Sequence, residues 1–259
     1  MKLLMDVGNT RIKWALHDDG TDVERGIVRH RGVPVGTWIC GLPGLDQVAS
    51  IFVANVAGDA LGAVLRDWAG SMPGVEVHFL RSTATAGGVR NAYAVPDLLG
   101  VDRWLGMIGA RSTCREAFLL VGAGTAFTVD LVNQDGRHCG GLIAPGRSMM
   151  IDALREKTGN IASAVAAAAA SSDGMFGLNT AGAVSRGASH ALAGLVGHAI
   201  RESMTHCGSV RVFVHGGDAG DVFDIVADRH THELSAGVET MDDAVLTGIA
   251  VLADEARVL

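Results

Sequence analysis

Apolar positions near the start of the chain follow a pattern that only extended backbone explains. Leu3, Leu4 and Met5 form an apolar run ending at Asp6; after Gly8-Asn9-Thr10 the apolar positions resume at Ile12, Trp14 and Leu16, separated by Arg11, Lys13 and Ala15. Such a pattern on both sides of a Gly-Asn pair predicts a strand, a tight turn and a second strand. Gly8 and Asn9 are residue types that accept positive φ at the tip, which would turn backbone N–H groups outward. A carboxylate at a strand end, open amides and a nearby Lys13 suit a nucleotide phosphate with Mg²⁺. They equally suit an ordinary hairpin whose Asp6 caps its turn.

Further along, residues 25–30, 51–56 and 75–80 read as strands, and Leu61, Val64, Leu65 and Trp68 recur at helical spacing over 59–69. Pro96-Asp97 marks a helix start, continued through 104–111 with Leu98, Trp104, Leu105 and Ile108 as its apolar stripe. The opening then repeats: strand 118–121, turn Gly122-Ala123-Gly124-Thr125-Ala126, strand 127–132. A strand near 140–143 precedes a helix over 148–157, and the Ala-rich stretch 161–173 reads as a helix end and connection. A long helix over 180–206 leads to strand 210–214, which runs into His215-Gly216-Gly217-Asp218-Ala219, and a closing helix spans 242–257. Strand into paired glycines and a helix N-terminus favours phosphate or adenosine. Strand–helix alternation with a repeated hairpin predicts a duplicated α/β fold with a ligand cleft between its halves.

Composition narrows the chemistry. The chain has 259 residues, 48% of them hydrophobic and 19% charged, with 35 Gly and a net charge of −7. Without a Lys/Arg block, nucleic acid is a poor partner. Cys40, Cys114, Cys139 and Cys207 are too widely spaced for a metal knuckle, and reduced thiols fit better than disulfides. Asp6 and Arg11 interrupt what would be the apolar core of a secretory signal, and no apolar run spans a bilayer, so a cytoplasmic protein is expected. The ten His residues form no Ser- or Cys-based hydrolase grouping, and Asp130 and Asp135 read as a solvated hairpin end.

Six motifs in order carry a family resemblance: Asp6-Val7-Gly8-Asn9-Thr10, Gly100-Val101-Asp102-Arg103, Gly124-Thr125-Ala126, Gly140-Gly141-Leu142-Ile143-Ala144-Pro145-Gly146, Asn179-Thr180 and Gly216-Gly217-Asp218-Ala219. Over nearly the whole chain, Met1 to about Ala253, the sequence resembles the type III pantothenate kinases, relatives of acetate and sugar kinases, actin and heat-shock chaperone ATPases. The resemblance implies a duplicated ribonuclease H-like (actin-like ATPase) fold, with α/β halves at 1–112 and 113–259. It implies ATP-dependent phosphorylation of pantothenate, the first step of coenzyme A synthesis, with Mg²⁺, a monovalent cation (K⁺ or NH₄⁺) and a homodimer. Carried over by residue, Asp6 is the Mg²⁺–phosphate carboxylate. Val7, Gly8, Asn9, Thr10, Arg11, Ile12 and Lys13 form the first ATP loop, and Thr125 belongs to the second. Asp102 resembles the catalytic base; Tyr93, Gly100, Val101, Asp102, Arg103 and Thr180 match the pantothenate pocket. A guanidinium fork at Arg103 pairs specifically with a carboxylate.

One position departs from the pattern. Gly122 stands where the family usually has an Asp associated with the monovalent cation, so a weaker or differently built cation site is expected. His215 stands where relatives often have Thr, either touching adenine or packing. The alternatives are a kinase of this fold with another small acceptor, or a regulatory accessory protein; intact Asp6, Asp102 and Thr125 favour catalysis.

Overall fold

The computed structural model describes residues 1–29, 42, 44–159, 161, 174–230 and 237–256. Cys40, the last residue of the strand expected at 25–30, and the Ala-rich connection from 162 to 173 lie outside the described residues. Two five-stranded sheets organise the chain. The first holds β1 (Lys2–Val7), β2 (Arg11–Asp18), β3 (Thr21–Arg29), β4 (Ser50–Asn55) and β5 (Glu76–Phe79), in the order β3-β2-β1-β4-β5. After a small hairpin of β6 (Thr85–Ala86) and β7 (Val89–Arg90), the second sheet comprises β8 (Phe118–Ala123), β9 (Ala126–Val132), β10 (His138–Pro145), β11 (Arg211–His215) and β12 (Val238–Thr240). Its order, β10-β9-β8-β11-β12, repeats the first sheet position for position. In each, the central strand pairs antiparallel with its hairpin partner and parallel with the strand on its other side. The expected duplication is therefore present in the topology.

Central strands covered on both faces read as continuous apolar runs. That accounts for Leu3-Leu4-Met5 in β1 and Phe118-Leu119-Leu120-Val121 in β8, all fully or nearly fully buried. The first core joins Leu3, Met5, Ile12 and Trp14 with Ile51, Val53 and Leu65, the last from α1 (Asp59–Gly70). The second joins Leu119, Val121, Phe127 and Val129 with Leu192, Val196 and Ile200 of α4 (Thr180–Cys207) and Val226 of α5 (Ala219–His230). Arg147 opens α3 (Arg147–Lys157) and donates to the Ser185 and Ser189 hydroxyls of α4, at 2.7 and 3.0 Å.

The compact units do not follow a single cut near residue 112. The first comprises Met1–Arg115, Gly136–His138 and Asp243–Leu259; the second comprises Glu116–Asp135 and Cys139–Asp242. The closing helix α6 (Ala244–Glu255) belongs to the first unit because it packs backbone to backbone on α2 (Val101–Thr113). A Cβ on Gly109 would strike the Ala244 carbonyl, and one on Gly248 the Leu105 carbonyl. Charge completes the attachment: Lys2 Nζ donates to the Ala253 carbonyl (2.6 Å) and to Asp254 (2.7 Å). The buried His17 ring lies between Asp22 (2.8 Å) and Asp254 (3.1 Å).

Two element boundaries differ from expectation. The helix expected from Pro96 to residue 111 is two pieces, a 3-10 turn at Pro96–Leu98 and then α2. Leu99 and Gly100, both extended, separate them, so Leu98 is 74% exposed while Trp104, Leu105, Met107 and Ile108 form the buried stripe. The closing helix begins at Ala244 rather than 242, because Asp243 has left-handed backbone (φ 57°) that a helix cannot include. No described helix is long and apolar enough to cross a membrane.

Gly248→Ala is expected to destabilise the protein by about 3 kcal/mol, since neither backbone at the crossing can retreat alone. Gly194→Ala, in open space on α4, should be neutral or stabilising by up to about 1 kcal/mol. Urea denaturation of both variants checks the pair.

Candidate active site

Antiparallel pairing of β1 with β2 sets Asp6 directly opposite Lys13, and parallel pairing with β4 sets the small Ala54 on its other side. The carboxyl is raised from 3.8 to about 7: burial is the largest cause, the Asp102 charge adds to it, Lys13 opposes it and Asp243 raises it further. Lys13 Nζ donates to Asp243 Oδ1 at 2.7 Å. At the turn, the Gly8 amide donates to the Arg11 carbonyl (3.0 Å), leaving Asn9 and Thr10 at the tip outside the strand pairing. Neither Gly8 nor Asn9 has positive φ. Proximity is the constraint at position 8 instead: a Cβ there would lie 3.2 Å from the Arg11 carbonyl, a tight contact that glycine avoids. Val7 and Ile12 are fully buried, so their side chains anchor the loop and only their backbone can meet a ligand; Arg11 is exposed.

The first unit also holds five of the six residues expected around the acceptor, Tyr93, Gly100, Val101, Asp102 and Arg103. Gly100 caps α2, and Asp102 and Arg103 lie in its first turn. Asp102 Oδ1 accepts the Arg103 backbone N–H (2.8 Å), a favourable place for a carboxylate at a helix N-terminus. The Arg103 guanidinium, on a residue only 7% exposed, donates to the Tyr93 hydroxyl at 3.2 Å. Tyr93 stacks on the fully buried His138 ring, centroids 6.1 Å apart. His138 arrives on the short Gly136–His138 return, held where the Arg90 amide donates to the Gly136 carbonyl (2.8 Å). A polar cavity of about 410 Å³ adjoins the start of α2, with Asn55, Arg66, Arg81, Ser82, Gly100 and Val101 in its wall.

Thr125 and Thr180 belong to the second unit. Thr125 is exposed at the β8–β9 turn. Two glycines wrap this loop. The Gly146 amide donates to the Thr125 carbonyl (3.0 Å), and a Cβ on Gly146 would strike the Gly124 carbonyl. Gly216, at φ 108°, sits equally close to the Ala123 carbonyl, which accepts the Asp218 amide at 3.0 Å. Thr180 is the exposed first residue of α4, behind an Asn179 cap whose Oδ1 accepts the Gly182 amide (2.7 Å).

Gly122 is opposite Thr128 and beside His215, and a Cβ there would lie 2.6 Å from Thr128 Oγ1 and 3.1 Å from His215 Nε2. A side chain at this position requires Thr128 to shift, and His215 lies beside it. Asp130 corrects an expectation: it is 1% exposed within β9, not at a solvated hairpin end, whereas Asp135 is exposed. Strand period alone could have found it, since Asp130 sits two residues from Thr128 and Val132 inside β9. Local sequence marks neither Asp243, which falls inside the helix expected over 242–257, nor His138, because both act through partners remote in the chain.

The sequence pattern described as type III pantothenate kinase matches residues 2–202. A type III pantothenate kinase of Nitrosococcus oceani is 32% identical over 98% of this chain and 94% of its own. One of Burkholderia lata is 36% identical over 98% of this chain and 95% of its own. Among solved structures, the activator of 2-hydroxyisocaproyl-CoA dehydratase from Clostridium difficile, with bound ADPNP, is similar in fold at a TM-score of 0.55 and 14% identity, covering 99% of this chain and 95% of its own.

The raised Asp6 carboxyl makes a pH-dependent stability prediction for the nucleotide-free protein. The folded state favours the protonated form, a contribution fully present below the ordinary carboxylate pKa and lost as pH climbs through about 7. Asp6→Asn should therefore be more stable than the parent by about 2 kcal/mol at pH 8, with the gap closing towards pH 4. Thermal melts across that range check it.

Proposed function

The chain belongs to the type III pantothenate kinases, which use ATP to phosphorylate pantothenate in coenzyme A biosynthesis, and from that membership we propose how its residues divide the reaction. Asp6, half-buried at the end of β1, is the carboxylate that holds Mg²⁺ through water, and Gly8 to Lys13 with Thr125 receive the ATP phosphates. The donor chemistry fits. Among the described residues no group of three or more His, Cys, Asp or Glu side chains forms a metal cage, and Mg²⁺ characteristically keeps waters and phosphate oxygens around one or two carboxylates. The ion's contribution when bound is neutralisation of phosphate charge.

Asp102 acts as the base. It accepts the proton of pantothenate's primary hydroxyl while that oxygen bonds to the γ-phosphorus and the bond to the departing ADP breaks. Arg103 pairs with the substrate's carboxylate, its fork already oriented by the Tyr93 hydroxyl; Gly100 and Val101 flank it, and the family resemblance assigns Thr180 to the same substrate. The observation that carries this reading is geometric. The first hairpin sets Asp6 opposite Lys13, and the helix start bearing Asp102 and Arg103 belongs to the same compact unit. A cytoplasmic location suits an ATP-consuming step. For the monovalent cation, the crowding of Gly122 by Thr128 and His215 supports a site weaker than, or built differently from, an Asp-based one.

We also assign a homodimer. The second unit exposes Leu142 and Ile143 on β10, Met149 and Leu154 on α3, and Met175, Phe176 and Leu178 ahead of α4. Apolar exposure on this scale marks an association surface, and a second copy is the usual partner.

Purified protein is expected to phosphorylate pantothenate with ATP, and Asp102→Asn to lower kcat by about 10²–10⁴-fold with ATP affinity unchanged. Activation by K⁺ should be weaker than in relatives that carry Asp at the Gly122 position. Absence of turnover with normal ATP binding would move the assignment to another acceptor. By sedimentation, the parent should be a dimer and Ile143→Glu should shift it towards monomer.

A further inference from the structure

Asp243 is anomalous in two respects. It precedes α6 as its N-cap, yet its side chain makes no capping hydrogen bond. N-cap residues ordinarily have extended backbone, and Asp at that position ordinarily accepts an amide of the first turn. Here φ is 57° and ψ 33°, left-handed. Among the described residues only one other non-glycine residue, Asp19, has positive φ, and Asp19 sits with Gly20 in the two-residue turn between β2 and β3, where such backbone is ordinary. No hairpin explains Asp243.

The carboxylate is committed elsewhere. Oδ1 accepts Lys13 Nζ of β2 at 2.7 Å, and Oδ2 lies 3.4 Å from Arg25 Nη1 of β3. The helix start relies instead on the Asp243 carbonyl, which accepts the Thr247 amide (3.0 Å) and hydroxyl (3.2 Å). Left-handed backbone therefore aims a side chain at Lys13 that an ordinary cap would have spent on its own helix. The position matters because Lys13 is also the cross-strand partner of Asp6. Opposite charges directly across an antiparallel pair attract one another. A Lys13 ammonium with no other anchor would settle on the Asp6 carboxylate and compete there with a cation.

We propose that Asp243 is a positioning residue for phosphate binding: it draws the Lys13 ammonium away from Asp6, so that Lys13 meets the ATP phosphates and Asp6 stays open to the metal. The inference rests on the reading of Lys13 as a phosphate contact. It adds a third carboxylate with a role distinct from those of Asp6 and Asp102, supplied by the first residue of the chain's return to the first unit.

The test is a double-mutant cycle read by equilibrium ATP binding in the presence of Mg²⁺, with the pantothenate KM and the melting temperature as controls. Asp243→Asn keeps a residue that tolerates left-handed backbone and removes the charge; Lys13→Met removes the ammonium. Asp243→Asn is expected to weaken ATP binding roughly tenfold, with pantothenate KM unchanged and the fold intact. Lys13→Met should weaken it at least as much, and the double variant no further than Lys13→Met. If Lys13→Met weakens ATP binding and Asp243→Asn does not, the positioning role is overturned while the Lys13 reading stands. Fully multiplicative effects overturn it as well, because Asp243 would then act independently of Lys13. Normal binding by Lys13→Met overturns the Lys13 reading itself, and the proposal with it. Should Asp243→Asn lower the melting temperature markedly, Asp243→Gly, which accepts φ 57° without strain, takes its place in the same cycle.

Discussion

A carboxylate placed at the buried end of a central strand is the interaction to which the first unit is fitted. Asp6 follows an apolar run that cannot leave the core, so its charge is carried to a place where burial opposes ionisation. Asp102 and Asp243 add negative charge, and Lys13 is the compensating cation. Such an arrangement costs stability in the empty protein and suits a site meant for a polyphosphate and a divalent ion. Left-handed backbone at Asp243, the first-turn position of Asp102 and the register of the first hairpin bring those charges near one another, with Lys13 bonded to Asp243.

Glycine supplies the second constraint, by closeness more often than by unusual torsion. Gly109 and Gly248 let α2 meet α6 at backbone distance, which fixes both the helix that presents Asp102 and Arg103 and the helix whose N-cap is Asp243. In the second unit, Gly146 and Gly216 crowd the carbonyls of the Thr125 loop and define its shape from two sides. A side chain at either position would have to displace the backbone of this loop.

Much of this was legible beforehand. The hairpins, the duplicated order of elements, the long α4 and the motifs carrying Asp6, Asp102, Arg103, Thr125 and Thr180 all follow from local patterns of apolar, glycine and charged residues. Less legible were features decided by partners far apart in the chain. Leu98 reads as part of a helical stripe because its spacing to Trp104 is right, but Leu99 and Gly100 break the helix between them. Asp130 reads as a solvated residue until β9 is seen to bury it. His138 becomes notable only when the Gly136–His138 return sets its ring against Tyr93.

Sequence by itself determined the paired strands around both turns and the apolar runs of the cores, because hydrophobic period is a local code with few structural solutions, and its six ordered motifs carried the family resemblance. Tertiary structure alone decided that the closing helix rejoins the first unit, that Thr128 and His215 crowd Gly122, and that Asp243 reaches Lys13 across 230 positions of chain. The physical reason is the same in each case. Close backbone approach and charge pairing depend on distances in space, and those distances exist only after remote segments have packed.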